Sequence, residues 1–258
     1  MSIAWFRFYE ELNDFLPPVR RRQLFSFSFS GNPSVKDTIE ALGVPHVEID
    51  MVLVNGESVD FTYKLRNEDR VSVYPVFENI DISNVTRLRK EPLRVMKFVT
   101  DVHLGKLTKY LRLCGFDTYN RSDLADTEII RIALNERRVI LTRDKELLKS
   151  KRVTHGYWIR SQSPDEQLKE LLNRLDLRKL VKPFTRCMEC NGMLTFVPKE
   201  EISEKLLPKT LEFYQNFKIC PGCKRIYWEG SHFNRMKEKI ERISNLNLNE
   251  ESDIINNQ

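Results

Sequence analysis

The sequence predicts a chain with an α+β domain, an α/β domain built on a parallel sheet, and a small cysteine ribbon. Phenylalanine and serine alternate through residues 24–30, which is the period of a strand with one buried face. Beyond residue 94, short apolar runs alternate with segments of helical spacing, as is typical of parallel α/β sheets. Two Cys-x-x-Cys pairs follow, which indicate metal binding in a reducing compartment. The predicted divisions are a first domain over 1–80, a linker over 81–93, the α/β domain over 94–182, the ribbon over 183–235 and a disordered tail over 236–258.

The first domain has the element order of a β-grasp fold. A strand over 3–9 can pair with the Phe-Ser strand, and Ser34 stands where a helix N-cap is expected, with Gly43 as the stop signal. Two further strands are predicted over 51–54 and 71–76. Strand, strand, helix, strand, strand is the order of ubiquitin-like domains. No Gly-Gly terminus follows, so we expect this domain to bind a partner, such as another protein, and not to be conjugated.

Acidic residues are predicted at one edge of the α/β sheet. Asp101 directly follows one predicted strand, and Asp144 comes two residues after another. The carboxyl ends of parallel strands meet at the edge where open α/β folds place their sites. Asp126 begins the helix that leads into the second strand, and Glu128 lies close behind it. These carboxylates would repel one another without a hard cation, so we expect Mg²⁺ or Mn²⁺, with Glu128 as a further possible ligand.

Each of these aspartates also has a structural interpretation. Residues 126–128 would make a good helix N-terminus, and Asp144 can cap a helix that begins at Lys145. A single aspartate after a strand is common in loops. Only the joint placement of the three favours a metal site, where the ion would activate water and offset charge on a phosphodiester.

Basic residues accompany the acidic ones. The net charge is +11 over residues 81–235 and −4 over residues 1–80. Such an excess suits a segment that meets phosphate, although a solvated basic surface explains it equally well. The residues predicted to contact a phosphate backbone are Lys106, Lys109, Arg112 and Arg143.

The two Cys-x-x-Cys pairs predict a structural zinc site. The two pairs are separated by 29 residues, so an insertion must be accommodated, and residues 206–217 have helical character. Four thiolates complete a tetrahedral Zn²⁺ site and leave no open position for catalysis. The predicted ligands are Cys187, Cys190, Cys220 and Cys223.

The composition excludes several classes of protein. Hydrophobic residues make up 41% of the chain and charged residues 31%, which excludes wholesale disorder and collagen-like repeats. No apolar run approaches the length of a membrane span, and Arg7 interrupts any signal-peptide core. We therefore expect a soluble cytoplasmic protein without a membrane partner.

With these residues identified, residues 94–235 resemble the Mut-seven C-terminal RNase domain, a PIN-like ribonuclease family with a zinc ribbon. Residues 1–80 resemble the ubiquitin-like domain that often precedes it. The matching motifs lie at 101–107, 111–117, 126–130, 141–144, 186–192 and 227–232.

The resemblance implies a PIN-like nuclease that acts on RNA, with Mg²⁺ or Mn²⁺ held by the three aspartates. PIN domains usually carry another acidic residue on the helix after the first aspartate, where this chain has basic residues. Glu128 or Asp123 would have to replace it. The alternative is therefore an RNA-binding or adaptor protein with a weak or inactive site. A third interpretation makes the ubiquitin-like domain the working part, which recruits a protein partner.

Overall fold

The strands and helices follow the order that the sequence predicts. The computed structural model describes residues 1–75, 88 and 96–244. The strands are β1 (Ser2–Phe8), β2 (Phe25–Phe29), β3 (Ile49–Val54), β4 (Glu57–Val59), β5 (Arg70–Pro75), β6 (Lys97–Thr100), β7 (Asp117–Tyr119), β8 (Val139–Thr142), β9 (Gly156–Trp158), β10 (Thr195–Val197), β11 (Phe217–Ile219) and β12 (Ile226–Trp228). The helices are α1 (Val35–Ala41), α2 (Gly105–Leu113), α3 (Asp126–Glu136), α4 (Lys145–Lys149), α5 (Pro164–Arg174), α6 (Pro208–Phe213) and α7 (Ser231–Ser244).

The chain divides into two compact units, and each is discontinuous in sequence. The first unit comprises Met1–Met96 and Ala125–Trp158, and the second comprises Lys97–Leu124 and Ile159–Gln258. The α/β segment therefore contributes to both units. Within the described residues, no helix has the length and apolar character that crossing a membrane requires.

The N-terminal part of the first unit is a five-stranded mixed sheet with the order β2-β1-β5-β3-β4. β1 pairs with β2 in antiparallel and with β5 in parallel orientation. The phenylalanines of β2 point toward the core while its serines are exposed, as the alternation predicts. The Ser34 side chain caps α1 by accepting a hydrogen bond from the Asp37 N–H at 3.0 Å. The short strand β4, which the sequence analysis does not predict, follows the turn at Asn55-Gly56, where both residues have positive φ.

The remainder of the first unit contains α3, β8, α4 and β9. β8 and β9 are parallel neighbours, with Thr142 opposite Trp158. All four residues of β8 are buried, which explains its uninterrupted apolar sequence. The second unit contains the other parallel pair, in which β6 lies beside β7. The predicted parallel pairing is thus confirmed within each unit.

The second unit also holds the ribbon, a three-stranded antiparallel sheet with the order β10-β11-β12. The predicted helical insertion is present but shorter, because it ends at Phe213 and β11 begins at Phe217. α7 enters the segment predicted to be a disordered tail, since Ile240 and Ile243 are buried. The predicted linker, except residue 88, and the tail beyond residue 244 lie outside the described residues.

Candidate functional site

Asp101 lies directly after β6, in the second unit. Its side chain is only 6% exposed, and Oδ1 accepts a hydrogen bond from the His103 N–H at 2.8 Å. This bond caps the 3-10 turn Val102–Leu104, which leads into α2. The backbone N–H of His103 therefore helps to orient this carboxylate.

Asn120 supports the same loop and is absent from the predicted site. Its Nδ2 donates to Thr100 Oγ1 at 2.9 Å and to the Asp101 carbonyl at 3.1 Å. The hydroxyl of Thr100 lies 2.7 Å from that of Thr108 on α2. Asn120 directly follows β7, so the rule that identifies Asp101, a polar residue at the carboxyl end of a strand, would also have identified Asn120.

Asp126 is the first residue of α3, in the first unit. The N-cap is Ala125, and no side chain caps this helix. The capping interpretation of Asp126 is therefore not what the structure shows. The Asp126 side chain is exposed, and within the described part of the chain its carboxylate has no hydrogen bond or ion pair. A carboxylate at a helix N-terminus is stabilised by the helix dipole and stays available to a ligand.

Asp144 is the N-cap of α4, as the alternative interpretation proposed. Its Oδ1 accepts from the Glu146 N–H at 2.8 Å, and its own N–H donates to Thr142 Oγ1 at 2.9 Å. The residue is exposed, and capping occupies one carboxylate oxygen. A capping role and a ligand role are therefore compatible at this position.

Glu128, the predicted additional ligand, forms a two-pronged ion pair with Arg131. The oxygens lie 2.6 Å and 2.9 Å from the Arg131 nitrogens Nη2 and Nε. Such an i, i+3 pair on an exposed helix face is an ordinary stabilising contact.

The three basic residues of α2 that are predicted to contact phosphate lie in different environments. Lys106 is exposed, as expected of a residue that meets a ligand. Lys109 Nζ lies 2.8 Å from Glu189 Oε1. Arg112 differs from the prediction, because its side chain is buried and donates to the carbonyls of Thr118, Met188 and Glu189. Helical spacing identifies one face of a helix but not what covers it.

Arg143 is exposed at the carboxyl end of β8, next to Asp144. Its carbonyl accepts a hydrogen bond from Trp158 Nε1 at 3.2 Å. The phosphate contact of Arg143 stays a prediction.

The four cysteines come together in the second unit. Their sulfur atoms all lie within 4.8 Å of one another, with 3.5 Å between Cys187 and Cys223 and 3.3 Å between Cys190 and Cys220. Zinc–sulfur bonds of about 2.3 Å in a tetrahedron place sulfur atoms about 3.8 Å apart, so the observed spacing suits Zn²⁺. No open ligand position would remain.

Both turns that carry the cysteines have the same backbone design. The residue after the second cysteine, Asn191 or Lys224, has positive φ and donates its N–H to the carbonyl of the first cysteine. A side chain at Gly192 would bring a Cβ within 3.0 Å of Cys220 Sγ, so glycine leaves room for the sulfur atoms. The equivalent turns support the interpretation of the cysteines as one preformed metal site.

The surroundings of the four sulfur atoms favour the thiolate form of one cysteine, Cys187. Burial by itself raises the pKa of Cys187, but hydrogen bonds from the Tyr227 hydroxyl and from the N–H groups of Cys190 and Glu189 lower it to about 6. Burial raises the pKa of Cys223 to about 12. Metal binding would deprotonate all four thiols, because the thiolate is the ligand.

The first cysteine turn is joined to β7 by side chains. Asn191 accepts from the Thr118 N–H at 3.0 Å and donates to Asp117 Oδ1 at 2.8 Å. Arg186 donates to the Gly115 carbonyl at 3.2 Å. These contacts give the motif residues Arg186 and Asn191 a structural role.

Among the described residues, the predicted zinc ligands lie close together, whereas the predicted ligands of Mg²⁺ or Mn²⁺ do not form a comparable group. In the part of the chain that it describes, the four cysteines are the only group of three or more His, Cys, Asp or Glu side chains with ligand atoms so close together. The predicted aspartates form no such group. Asp126 and Asp144 belong to the first unit and Asp101 to the second.

Comparisons with known families agree with the two-part organisation. The model of the Mut7-C RNAse domain matches residues 96–240, and that of Mut7-C ubiquitin matches residues 1–81. No curated protein matches the chain.

Two solved structures are similar to part of the chain. One, a crystal structure of the small archaeal modifier protein 1 of Haloferax volcanii, is 18% identical, with 29% of this chain and 98% of that chain covered and a TM-score of 0.24. Another, of SAMP1 from Haloferax volcanii, is 17% identical, with 31% and 100% covered and a TM-score of 0.25.

Proposed function

This chain belongs to the Mut7-C RNAse domain family, and we propose that it is a metal-dependent ribonuclease that hydrolyses RNA phosphodiester bonds. The family match from residue 96 to residue 240 carries this proposal, because it includes all three candidate aspartates and the four cysteines. The proposed core is PIN-like, with the ubiquitin-like domain before it and the ribbon after it.

The proposed catalytic ligands are the three aspartates. Asp101, Asp126 and Asp144 would hold Mg²⁺ or Mn²⁺, which suits an oxygen donor set. Such an ion would activate water and stabilise negative charge on the phosphate. What supports this assignment is that each carboxylate stands at a strand end or a helix start, and that Asp101 is oriented by the His103 N–H.

The remaining residues would orient the site and the substrate. Asn120 would hold the Asp101 loop through its bonds to Thr100 and to the Asp101 carbonyl. Exposed Lys106 and Arg143 are the remaining candidates for holding the RNA backbone, since Lys109 and Arg112 contact the cysteine turn. The cysteines would hold a structural Zn²⁺, which supports the turn that Lys109 and Arg112 contact.

Asp126→Asn tests the assignment with little risk of unfolding, because its carboxylate is exposed at the start of α3. We expect metal-dependent RNA cleavage to fall on the order of 100-fold or more, because a lost ligand weakens binding of the activating ion. Glu136→Gln, at the other end of the same helix, is the matched control and should retain activity. Equal cleavage rates for wild-type protein and Asp126→Asn would refute the assignment.

A specific observation favours the alternative, an RNA-binding or adaptor protein with a weak site. Among the described residues no group of three or more acidic side chains meets as closely as the cysteines do, and Glu128 is paired with Arg131. Calorimetry with Mn²⁺ separates the two candidates. If the protein is a nuclease, it should bind Mn²⁺, and Asp126→Asn should weaken that binding. If it instead binds RNA in a salt-sensitive way but has no affinity for Mn²⁺, the adaptor function is favoured.

A further inference from the structure

Within the first unit, the ubiquitin-like domain contacts the segment from α4 to β9 through charged and aromatic side chains. Glu48 Oε1 accepts a hydrogen bond from the Trp158 N–H at 2.6 Å, and Glu48 is only 2% exposed. His46 Nε2 lies 2.9 Å from the Val153 carbonyl oxygen. A buried carboxylate that accepts from a backbone N–H is a strong, directional contact.

His46 is held firmly on the side of the ubiquitin-like domain. Its Nδ1 lies 2.7 Å from Glu40 Oε1, and the two side chains are 10% and 13% exposed. Both ring nitrogens therefore have partners, one in each part of the contact. The contact thus consists of buried, satisfied polar groups, as in a built interface.

Trp158 connects this contact to the loop that carries Asp144. Its ring lies 4.8 Å from the ring of Phe15 between centroids, and its Nε1 donates to the Arg143 carbonyl at 3.2 Å. The Lys145 ammonium lies 3.9 Å from the centroid of the Trp158 ring and 4.9 Å from that of Phe15. The residues on both sides of Asp144 therefore contact Trp158.

The hydrogen bonds that the structure describes for Asp144 are local. Its N–H bonds to Thr142 and its carboxylate to the Glu146 N–H, and these two bonds lie within a five-residue turn. Thr142 in turn lies opposite Trp158 in the parallel register of β8 and β9. Trp158 and the side chains that hold it supply a longer-range restraint on this turn.

We infer that the ubiquitin-like domain is an intramolecular positioning element, which holds the Asp144 loop through Trp158 and Lys145. Phe15 and Glu48 are the positioning residues that it contributes. The partner of this face is the segment 143–158 of the same chain. The catalytic meaning of this contact rests on the proposed ribonuclease function, whereas the contact itself does not.

Amide hydrogen exchange in the full-length protein tests the contact directly. Glu48→Ala should raise exchange at the Trp158 amide at least about tenfold, because a hydrogen bond to a charged acceptor is lost. It should also raise exchange at the Glu146 amide, which reports on the Asp144 cap. Glu48→Gln retains a side-chain oxygen acceptor and should restore most of the protection.

Lys145→Met provides a variant at a half-buried surface position, where unfolding is not a concern. Loss of the cation–π contact should raise exchange at the Glu146 amide about threefold. Arg152→Met is the matched control, since Arg152 is an exposed cation of the same segment for which the described residues offer no ring contact. Its exchange pattern should equal that of the wild-type protein.

Cleavage kinetics separate positioning from a direct RNA contact. For a positioning role, Lys145→Met should lower kcat about threefold or more and leave KM for RNA within a factor of about two. A raised KM with unchanged kcat would overturn it in favour of an RNA contact by Lys145.

The exchange results can also contradict the inference. Unchanged exchange at Trp158 in Glu48→Ala would overturn the contact, and raised exchange at Trp158 alone, with Glu146 unaffected, would overturn the positioning role. Wild-type protein that cleaves no RNA but shows the expected exchange pattern would contradict the proposed function while supporting the intramolecular contact.

Discussion

Arg112 shows how a single side chain joins two parts of the second unit. Its Nη1 lies 2.7 Å from the Glu189 carbonyl oxygen and 3.0 Å from that of Met188, and its Nε donates to the Thr118 carbonyl. Burial lowers its pKa, and the neighbouring cysteines and acidic residues oppose that effect. The guanidinium therefore joins α2 to the backbone of β7 and of the first cysteine turn.

Arg112→Met should destabilise the protein by about 2–4 kcal/mol, because one buried and two partly buried carbonyls lose a charged donor. The free energy of unfolding, measured by denaturant titration, checks this prediction.

Lys109→Met is the matched control for Arg112→Met, on the same helix and against the same turn. The Lys109 side chain is 52% exposed, so removing its ion pair with Glu189 should cost less than about 1 kcal/mol. Equal losses of stability in the two variants would contradict the structural role of Arg112.

For single residues, the sequence predicts the local position, such as a loop or a helix cap, better than the groups that the side chain contacts. The two aspartates that follow strands occupy the loops that were expected, and the N-cap at Ser34 is confirmed. The burial of Arg112 could not be predicted, because its partners are carbonyls 76 and 77 residues away. A long-range backbone contact leaves no local pattern in the sequence.

The ribbon is the element whose stability we expect to depend most on a ligand. Its apolar core contains only three fully buried residues, Val197, Ile202 and Phe217. Such a small core cannot offset the entropy of ordering the chain without a stabilising cross-link. Four thiolates around Zn²⁺ would supply that cross-link, because metal binding contributes directly to folding.

Removal of zinc should therefore loosen β7 as well as the ribbon. The Thr118 N–H donates to Asn191, so its amide exchange should rise at least about tenfold when a chelator removes the metal. Exchange mass spectrometry with and without chelator measures this effect.

Cys223→Ser serves as the control for zinc removal. This variant should show fast exchange at Thr118 in both conditions, because one ligand is already lost. Unchanged protection of Thr118 after complete removal of zinc would contradict the coupling.

The elements themselves are largely predictable, with errors at their ends. β8 ends at Thr142 and α4 begins at Lys145, as predicted, because their signals are local, an apolar run and an N-cap aspartate. The short strand β4 has only three residues, too few for a periodic signal. α7 continues into the segment predicted to be a disordered tail, because Ile240 and Ile243 pack in a core that the sequence alone does not reveal.

For the whole molecule, the predicted resemblance is confirmed, because the family models match a ubiquitin-like domain over residues 1–81 and the RNAse domain over residues 96–240. The interleaving of the units could not be predicted, because it brings residues 125–158 together with residues 1–96. The ubiquitin-like domain therefore shares a compact unit with two of the three candidate aspartates, Asp126 and Asp144. Its contact with Trp158 depends on tertiary packing between segments more than 100 residues apart.

RNA cleavage by wild-type protein and by Asp101→Asn, each with Mn²⁺ and with EDTA, tests the central claim most directly. Asparagine keeps the oxygen that accepts from the His103 N–H, so the loop should retain its structure. We expect cleavage of single-stranded or structured RNA by the wild-type protein with Mn²⁺ only, and its loss in Asp101→Asn. Undiminished cleavage by a clean preparation of Asp101→Asn, or cleavage that persists in EDTA, would contradict the assignment of a carboxylate-bound metal site.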